Sequence, residues 1–364
     1  MQKNYIPWAS PHYWGNEQRY VVDALNSTWI SGGSYVERFE QEFAQYCGSP
    51  FAVAASNGTT ALHMAYLALN IGPGDEVIVP GFGFMAAANI ALHVGAKPVF
   101  VEVDPDSWCM TASDIEKFIT PKTKAIVPIH TYGNVCDMAP IMDLAEYSGL
   151  SVIEDAAEAI GSKYLGEMAG TIASVGIYSF QATKTITTGE GGAVVTQSAE
   201  LCERMKLFRS HGMSSKRYWH EVAGHNFRLT NMHAAMGCAQ LEQITRITLE
   251  RDRVYQSYRE LLESEDGVVF QQYSNQVEPV VWAIAISLDS ASYPQGRDQV
   301  MNQLMEVGIE TRPGFYAASS MPNIYGEMQL PVCEQLSKQV ISLPSSPTLT
   351  EDEIEFICES VKSC

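Results

Sequence analysis

The sequence predicts an α/β protein: a large domain on a mainly parallel sheet, followed by a smaller α+β domain. Three observations carry that expectation. Short, uninterrupted apolar runs alternate with helical patterns through the first two-thirds of the chain, as parallel strands covered on both faces require. Polar and charged residues gather at the ends of those runs, where open α/β sheets bind ligands. From Thr230 the alternation gives way to a long amphipathic stretch and then to mixed signals.

Taken in order, "GTTALHMAYLALNIGPGDE" reads as a helix from Gly58 closed by a Gly-Pro-Gly turn. "EVIVP" is a strand, "FMAAANIALHVGA" a helix with Gly95 as its C-cap, and "KPVFVEVD" a strand. "KAIVPIH" (strand), "MAPIMDLAEYSGL" (helix) and "SVIED" (strand) continue the series, and "SVGIYSF" and "GGAVVTQ" are two further strands. The stretch "TNMHAAMGCAQLEQITRITLERDRVYQSYRELLES" reads as a long connecting helix, with room for a bend. "EPVVWAIAISL" and "RDQVMNQLMEVGIETRP" then mix strand and helix. A chain of 364 residues exceeds one ordinary domain. The change in texture places the division near 245–255, giving domains 1–250 and 251–364.

Composition narrows the function. A formal net charge of −19 argues against nucleic acid, which is drawn to clustered Lys and Arg. The eight cysteines are scattered without CxxC or zinc-ligand spacing, and "HEVAGH" sets its histidines five apart, where a shared helical face needs four. No metal site is expected. The N-terminus lacks an apolar signal core and no run approaches the ~18 apolar residues of a membrane span. A cytoplasmic protein with reduced thiols and no membrane partner is expected.

The chemistry concentrates around "SFQATKTITTGEGG", with a single lysine, Lys184, ahead of three glycines. Asp155 ends "SVIED", His130 ends "KAIVPIH", and Ser179 lies near the end of "GIYSF". Ser56-Asn57 precedes Gly58-Thr59 at a helix start, whose N–H groups and dipole suit a phosphate. Singly, Ser56-Asn57 and Asp155 read equally well as helix caps, and Lys184 reads more readily as a solvated loop lysine. A rival reading takes "GFGFMA", Gly81 to Ala86, with Glu102 and Asp104 beyond it, as a dinucleotide fingerprint, making the chain a nicotinamide-dependent oxidoreductase. That motif is not on the first strand–helix unit, and it leaves Lys184 unexplained. A Walker-type loop needs its glycines before the lysine instead of after it.

Together these groups suit pyridoxal 5'-phosphate. A lysine amine bonds the cofactor aldehyde, a carboxylate keeps the pyridine nitrogen protonated, and a helix N-terminus takes the phosphate. An aromatic ring such as Phe84 can stack on the cofactor.

In this combination the chain resembles the DegT/DnrJ/EryC1/StrS sugar aminotransferases, fold-type-I (aspartate aminotransferase-like) enzymes. The likeness runs from "STWISGG" through "SNGTTALHMAYLAL", "VIEDAAEAIGS" and "TKTITTGEGG" to "LPSSPTL". The resemblance implies that Lys184 is the Schiff-base lysine and Asp155 the partner of the pyridine nitrogen. It puts Glu158 near the cofactor, Gly58, Thr59 and Ser179 at its phosphate, and Asn226 at the phosphate of a neighbouring subunit in a homodimer. A dehydratase branch carries histidine in place of this lysine, so Lys184 points to amino transfer. L-glutamate would give nitrogen, leaving the pyridoxamine form, and C4 of a nucleotide-linked 4-keto-6-deoxyhexose would accept it. "STWIS", "RYWHEVAGHNFRLTN" and "TRPGFY" resemble the branch acting on GDP-4-keto-6-deoxymannose. The alternatives are dTDP- or UDP-linked 4-keto-6-deoxyglucose. The chain departs from the family pattern at "GFGFMAAAN" and at Ser319, where that branch carries histidine. Trp29, His130, Arg228, Arg312 and Tyr316 are the substrate-binding candidates, the arginines because guanidinium holds diphosphate and carboxylate in a bidentate manner. For each arginine a structural ion pair is an equal alternative.

Overall fold

The apolar runs form the central sheet in this computed structural model, which describes residues 5–364. Its strands are β1 (Phe51–Ala55), β2 (Glu76–Pro80), β3 (Lys97–Val101), β4 (Thr123–Ile126) and β5 (Ser151–Asp155). After a short hairpin of β6 (Lys163–Tyr164) and β7 (Glu167–Met168) come β8 (Val175–Ser179) and β9 (Gly192–Thr196). The order across the sheet is β1-β9-β8-β5-β4-β2-β3. Pairings from β3 to β8 are parallel, and only β9 runs against its neighbours β8 and β1.

Successive residues of each strand enter different cores, which is the period-2 geometry of a sheet buried on both sides. Val77 and Val79 of β2 join one core, with the helices Gly58–Ala68 and Ala86–His93. Ile78 between them joins the other, with the helices Ser34–Cys47 and Met138–Ser148.

The long stretch from Thr230 is two helices, Asn231–Glu242 and Ile244–Leu262, broken at Gln243. Beyond it, β10 (Val268–Phe270), β12 (Ile284–Leu288), β13 (Arg312–Pro313) and β14 (Val340–Leu343) make an antiparallel sheet ordered β10-β12-β14-β13. The two-residue β11 (Val277–Glu278) pairs with β6. A third core, including Tyr258, Ile286, Val300 and Ile357, lies here. The N-terminal segment belongs with this region. Ile6 N–H donates to the Gly308 carbonyl at 2.9 Å, Glu310 N–H donates to the Ile6 carbonyl at 3.0 Å, and Trp8 Nε1 donates to Ser342 Oγ at 2.9 Å.

All eight cysteines are unpaired and seven are buried. Among the described residues no helix is long and apolar enough to cross a membrane, and no cluster of His, Cys, Asp or Glu has the makings of a metal site.

Candidate active site

A cavity of about 790 Å³ opens beyond the carboxyl ends of the parallel strands, and the sequence around it explains its shape. Asn57, extended at φ −168°, caps the helix Gly58–Ala68: its Oδ1 accepts the Thr60 N–H at 2.8 Å. That leaves the first N–H groups, of Gly58 and Thr59, directed at the cavity. A Cβ on Gly58 would lie 3.0 Å from the Ser179 Cβ, so glycine lets the helix start and the end of β8 close to a narrow polar cradle. Gly192 opposite is tighter still, since a Cβ there would meet the Asn57 carbonyl carbon at 2.4 Å.

The loop between β8 and β9 presents Lys184. Its N–H donates to the Gln181 carbonyl at 2.8 Å, and the Gln181 side chain accepts from Thr183 N–H and Oγ1. Lys184 Nζ stands 3.5 Å from Glu158 Oε1 and 3.5 Å from the centre of the Trp282 ring. Burial lowers the pKa of this amine, while the Glu158 and Asp155 carboxylates oppose the shift. Glu158 is raised by burial, and its Oε2 accepts the Tyr132 N–H at 2.9 Å. To offer that N–H, Tyr132 adopts the left-handed region at φ 59°, a conformation that bulky side chains take only under constraint.

Asp155 is 4% exposed at the end of β5. It accepts the Ala157 N–H at 3.1 Å. Burial pushes its pKa up to about 6, with the like charge of Glu158 adding to the rise. Such a carboxylate is stabilised by any cationic N–H donor brought beside it. Cradle, acid and lysine thus fit a group carrying a phosphate, a protonated ring nitrogen and an amine-reactive carbon, as pyridoxal 5'-phosphate does.

Other expected residues divide sharply. Phe84 lines the cavity, as does Arg312, which pairs with Glu310 at 2.6 Å. His130 does not line it: the imidazole is fully buried, with Nε2 3.0 Å from Glu154 Oε2 and Nδ1 accepting the Cys136 N–H. That corrects the expectation of substrate contact, since Glu154 and Asp155 point to opposite faces of β5 and His130 follows Glu154. Trp29, Asn226, Arg228 and Tyr316 also lie outside the cavity of the single chain. Asn226 Oδ1 accepts from Arg228 Nε at 3.0 Å on an exposed segment, and Tyr316 lies under Arg297. The dinucleotide reading fails on its acids. Glu102 accepts the N–H groups of Val332 and Cys333, and Asp104 those of Asp106 and Ser107.

Sequence reasoning missed Trp8, Tyr132 and Trp282, which line the cavity. It also missed Arg251, whose buried guanidinium donates to the carbonyls of Trp282 (2.8 Å) and Lys184 (3.4 Å).

A family model, described as the DegT/DnrJ/EryC1/StrS aminotransferase family, matches residues 13–362. The chain belongs to this family. It is a pyridoxal-phosphate-dependent aminotransferase of fold type I. Among similar family members are the GDP-perosamine synthase of Escherichia coli O157:H7, 43% identical over 98% of both chains, and that of Caulobacter vibrioides, 41% identical over 97% of this chain and 96% of its own. A putative sugar aminotransferase from Streptococcus pneumoniae, solved in its PLP form, superposes with a TM-score of 0.93 at 26% identity, covering 99% of this chain and 98% of its own.

Proposed function

We propose that this aminotransferase moves the amino group of L-glutamate to C4 of GDP-4-keto-6-deoxymannose, forming GDP-perosamine. The observation that carries the reading is identity of 39–43% over nearly the whole chain to three proteins named GDP-perosamine synthase, joined to a cavity holding one lysine between two buried acids. When bound, the cofactor supplies an amine-exchanging carbon and an electron-withdrawing ring.

The chain's own residues then divide the work. Gly58 and Thr59 N–H groups and Ser179 Oγ hold the phosphate. Asp155 would keep the proton on the ring nitrogen. Lys184 would hold the cofactor through its amine and would move a proton at the donor Cα, a task for which an amine pKa lowered by burial is suited. Glu158 orients that amine. Arg312, on the rim with its guanidinium partly exposed, takes a donor carboxylate or the sugar diphosphate. Asn226 would reach the phosphate side of a second copy's cavity, with Arg228 beside it as a candidate for the substrate's diphosphate or carboxylate, so the working unit is a homodimer, which we place in the cytoplasm. We also assign the chain two lobes divided near residue 250, with the segment around Ile6–Ser10 fastened to the second.

The experiment is spectroscopic and then kinetic. The purified protein should be yellow, borohydride should fix the cofactor to the Lys184 peptide, and glutamate should bleach the band. Glutamate with each keto-sugar nucleotide in turn should give the highest kcat/KM for the GDP-linked sugar. A tenfold preference for the dTDP- or UDP-linked 4-keto-6-deoxyglucose would replace the acceptor while keeping the reaction class.

A further inference from the structure

Lys184 has a second close neighbour that no charge or motif announces. Its Nζ lies 3.5 Å from the centroid of the Trp282 indole, as near as it lies to Glu158 Oε1. The indole is fixed to the lysine's own loop. Its Nε1–H donates to the Thr183 carbonyl at 2.7 Å, and its backbone N–H donates to the Tyr132 carbonyl at 3.1 Å. Its carbonyl accepts from Arg251 Nη1 at 2.8 Å, while Arg251 Nη2 reaches the Lys184 carbonyl at 3.4 Å. Tyr132 stacks on one side at 6.3 Å and 17°, and Trp8 meets it edge-on at 5.8 Å. A ring held by so many contacts keeps its face turned to one place, and that place is the amine.

We propose that Trp282 is a positioning residue for amino transfer, its indole face and the Glu158 carboxylate forming the resting site of the Lys184 amine whenever that amine is not bonded to the cofactor. This rests on Lys184 being the cofactor lysine. An aminotransferase passes through a stage in which the lysine is free, and a free lysine side chain has many rotamers open to it. Binding between two walls holds it near the reacting carbon. The walls act differently. Glu158 attracts by charge, whereas the indole attracts the ammonium through its quadrupole and cannot accept the proton. A third carboxylate in that place would favour the charged form further and hinder proton transfer. Asp155 also acts on the amine, Arg251 stands on its backbone side, and Glu190 and Arg312 line the same cavity.

The test changes the ring's electrostatics without its shape. Tryptophans with one, two and three ring fluorines are placed at position 282, and the cofactor is removed. The acylation rate of Lys184 is followed against pH by mass spectrometry of its peptide. The amine pKa should fall stepwise with fluorine number, by about one unit in all, a tenfold change in its protonation constant. Trp282→Phe, which keeps a face but loses the N–H, should retain most of the native pKa. Trp282→Leu should slow bleaching by glutamate while changing KM little. A pKa indifferent to fluorination, with borohydride still labelling Lys184, overturns the resting site alone. Borohydride labelling at another residue overturns the cofactor-lysine assignment, and the resting site with it.

Discussion

Asp155 carries a measurable signature even without cofactor. In the fold its proton is held up to about pH 6, whereas in an unfolded chain an aspartate releases it near pH ~3.9. Between those values the native state binds more protons, so the cofactor-free protein loses stability as pH rises through that window. We expect Asp155→Asn to stabilise the cofactor-free protein above pH 6, on the order of 2–3 kcal/mol at full ionisation, and to have little effect at pH 4. Thermal melts at the two pH values check this. The same substitution should leave the cofactor bound through Lys184 and the phosphate contacts but slow turnover on the order of a hundredfold, because the ring nitrogen loses its anionic partner. Asp155 and Lys184 were legible in the sequence because their chemistry is local, an acid ending an apolar run and a lysine ahead of glycines. Trp282 was not, since an aromatic inside "EPVVWAIAISL" is indistinguishable from core. His130 misled for a different reason: a strand end gives a residue's position, while the parity of neighbouring residues decides its face.

At the scale of the element, glycine and cap hold the phosphate end together. Asn57→Ala should cost about 1 kcal/mol through loss of the helix cap, read as a drop in the denaturation midpoint. Gly58→Ala should be milder for stability but should weaken cofactor binding, because the added Cβ meets Ser179 at 3.0 Å and narrows the cradle. Gly192→Ala should be the most damaging of the three, since its Cβ would lie 2.4 Å from the Asn57 carbonyl carbon, a backbone atom with nowhere to retreat. Equilibrium titration with pyridoxal phosphate and urea melts separate the effects. Strands β2, β3, β4, β5, β8 and β9 were readable because their apolar runs are bounded by turn residues, whereas two-residue strands such as β6, β7 and β13 are too short to show a period. β1 escaped notice because "FAVAA" has few β-branched residues to mark it. The reversal of β9 is set by its pairing with both β1 and β8, a long-range choice. The break at Gln243 falls where a helix buried on most sides passes into an amphipathic one, with no proline or glycine beside it to mark the place.

For the whole molecule, the single chain leaves several conspicuous groups turned outward. Trp29 is 70% exposed and Tyr218 74%, with Ile30 and Trp219 also open to solvent, and Asn226 bridges Ser210 at the base of the loop that carries Tyr218 and Trp219. Exposed aromatics in that number suit an interface. Mixing inactive Lys184→Ala chains with inactive Asn226→Ala chains should restore activity, up to about a quarter of native when one site in each mixed dimer is whole and exchange is random. No recovery, with mixed dimers shown to form by mass spectrometry, would remove Asn226 from the shared site. The pairing of Ile6 with Ile309 has a consequence for biosynthesis. The two residues are 303 positions apart, so at ~5–20 residues per second the ribosome takes roughly 15–60 s to deliver the second after the first. Through that interval Trp8 has no Ser342 to bond and the cavity lacks one wall. The central sheet has time to assemble before its ligand site exists, and the nascent chain should gain its affinity for pyridoxal phosphate only near the end of synthesis, a delay visible in stalled ribosome complexes of increasing length.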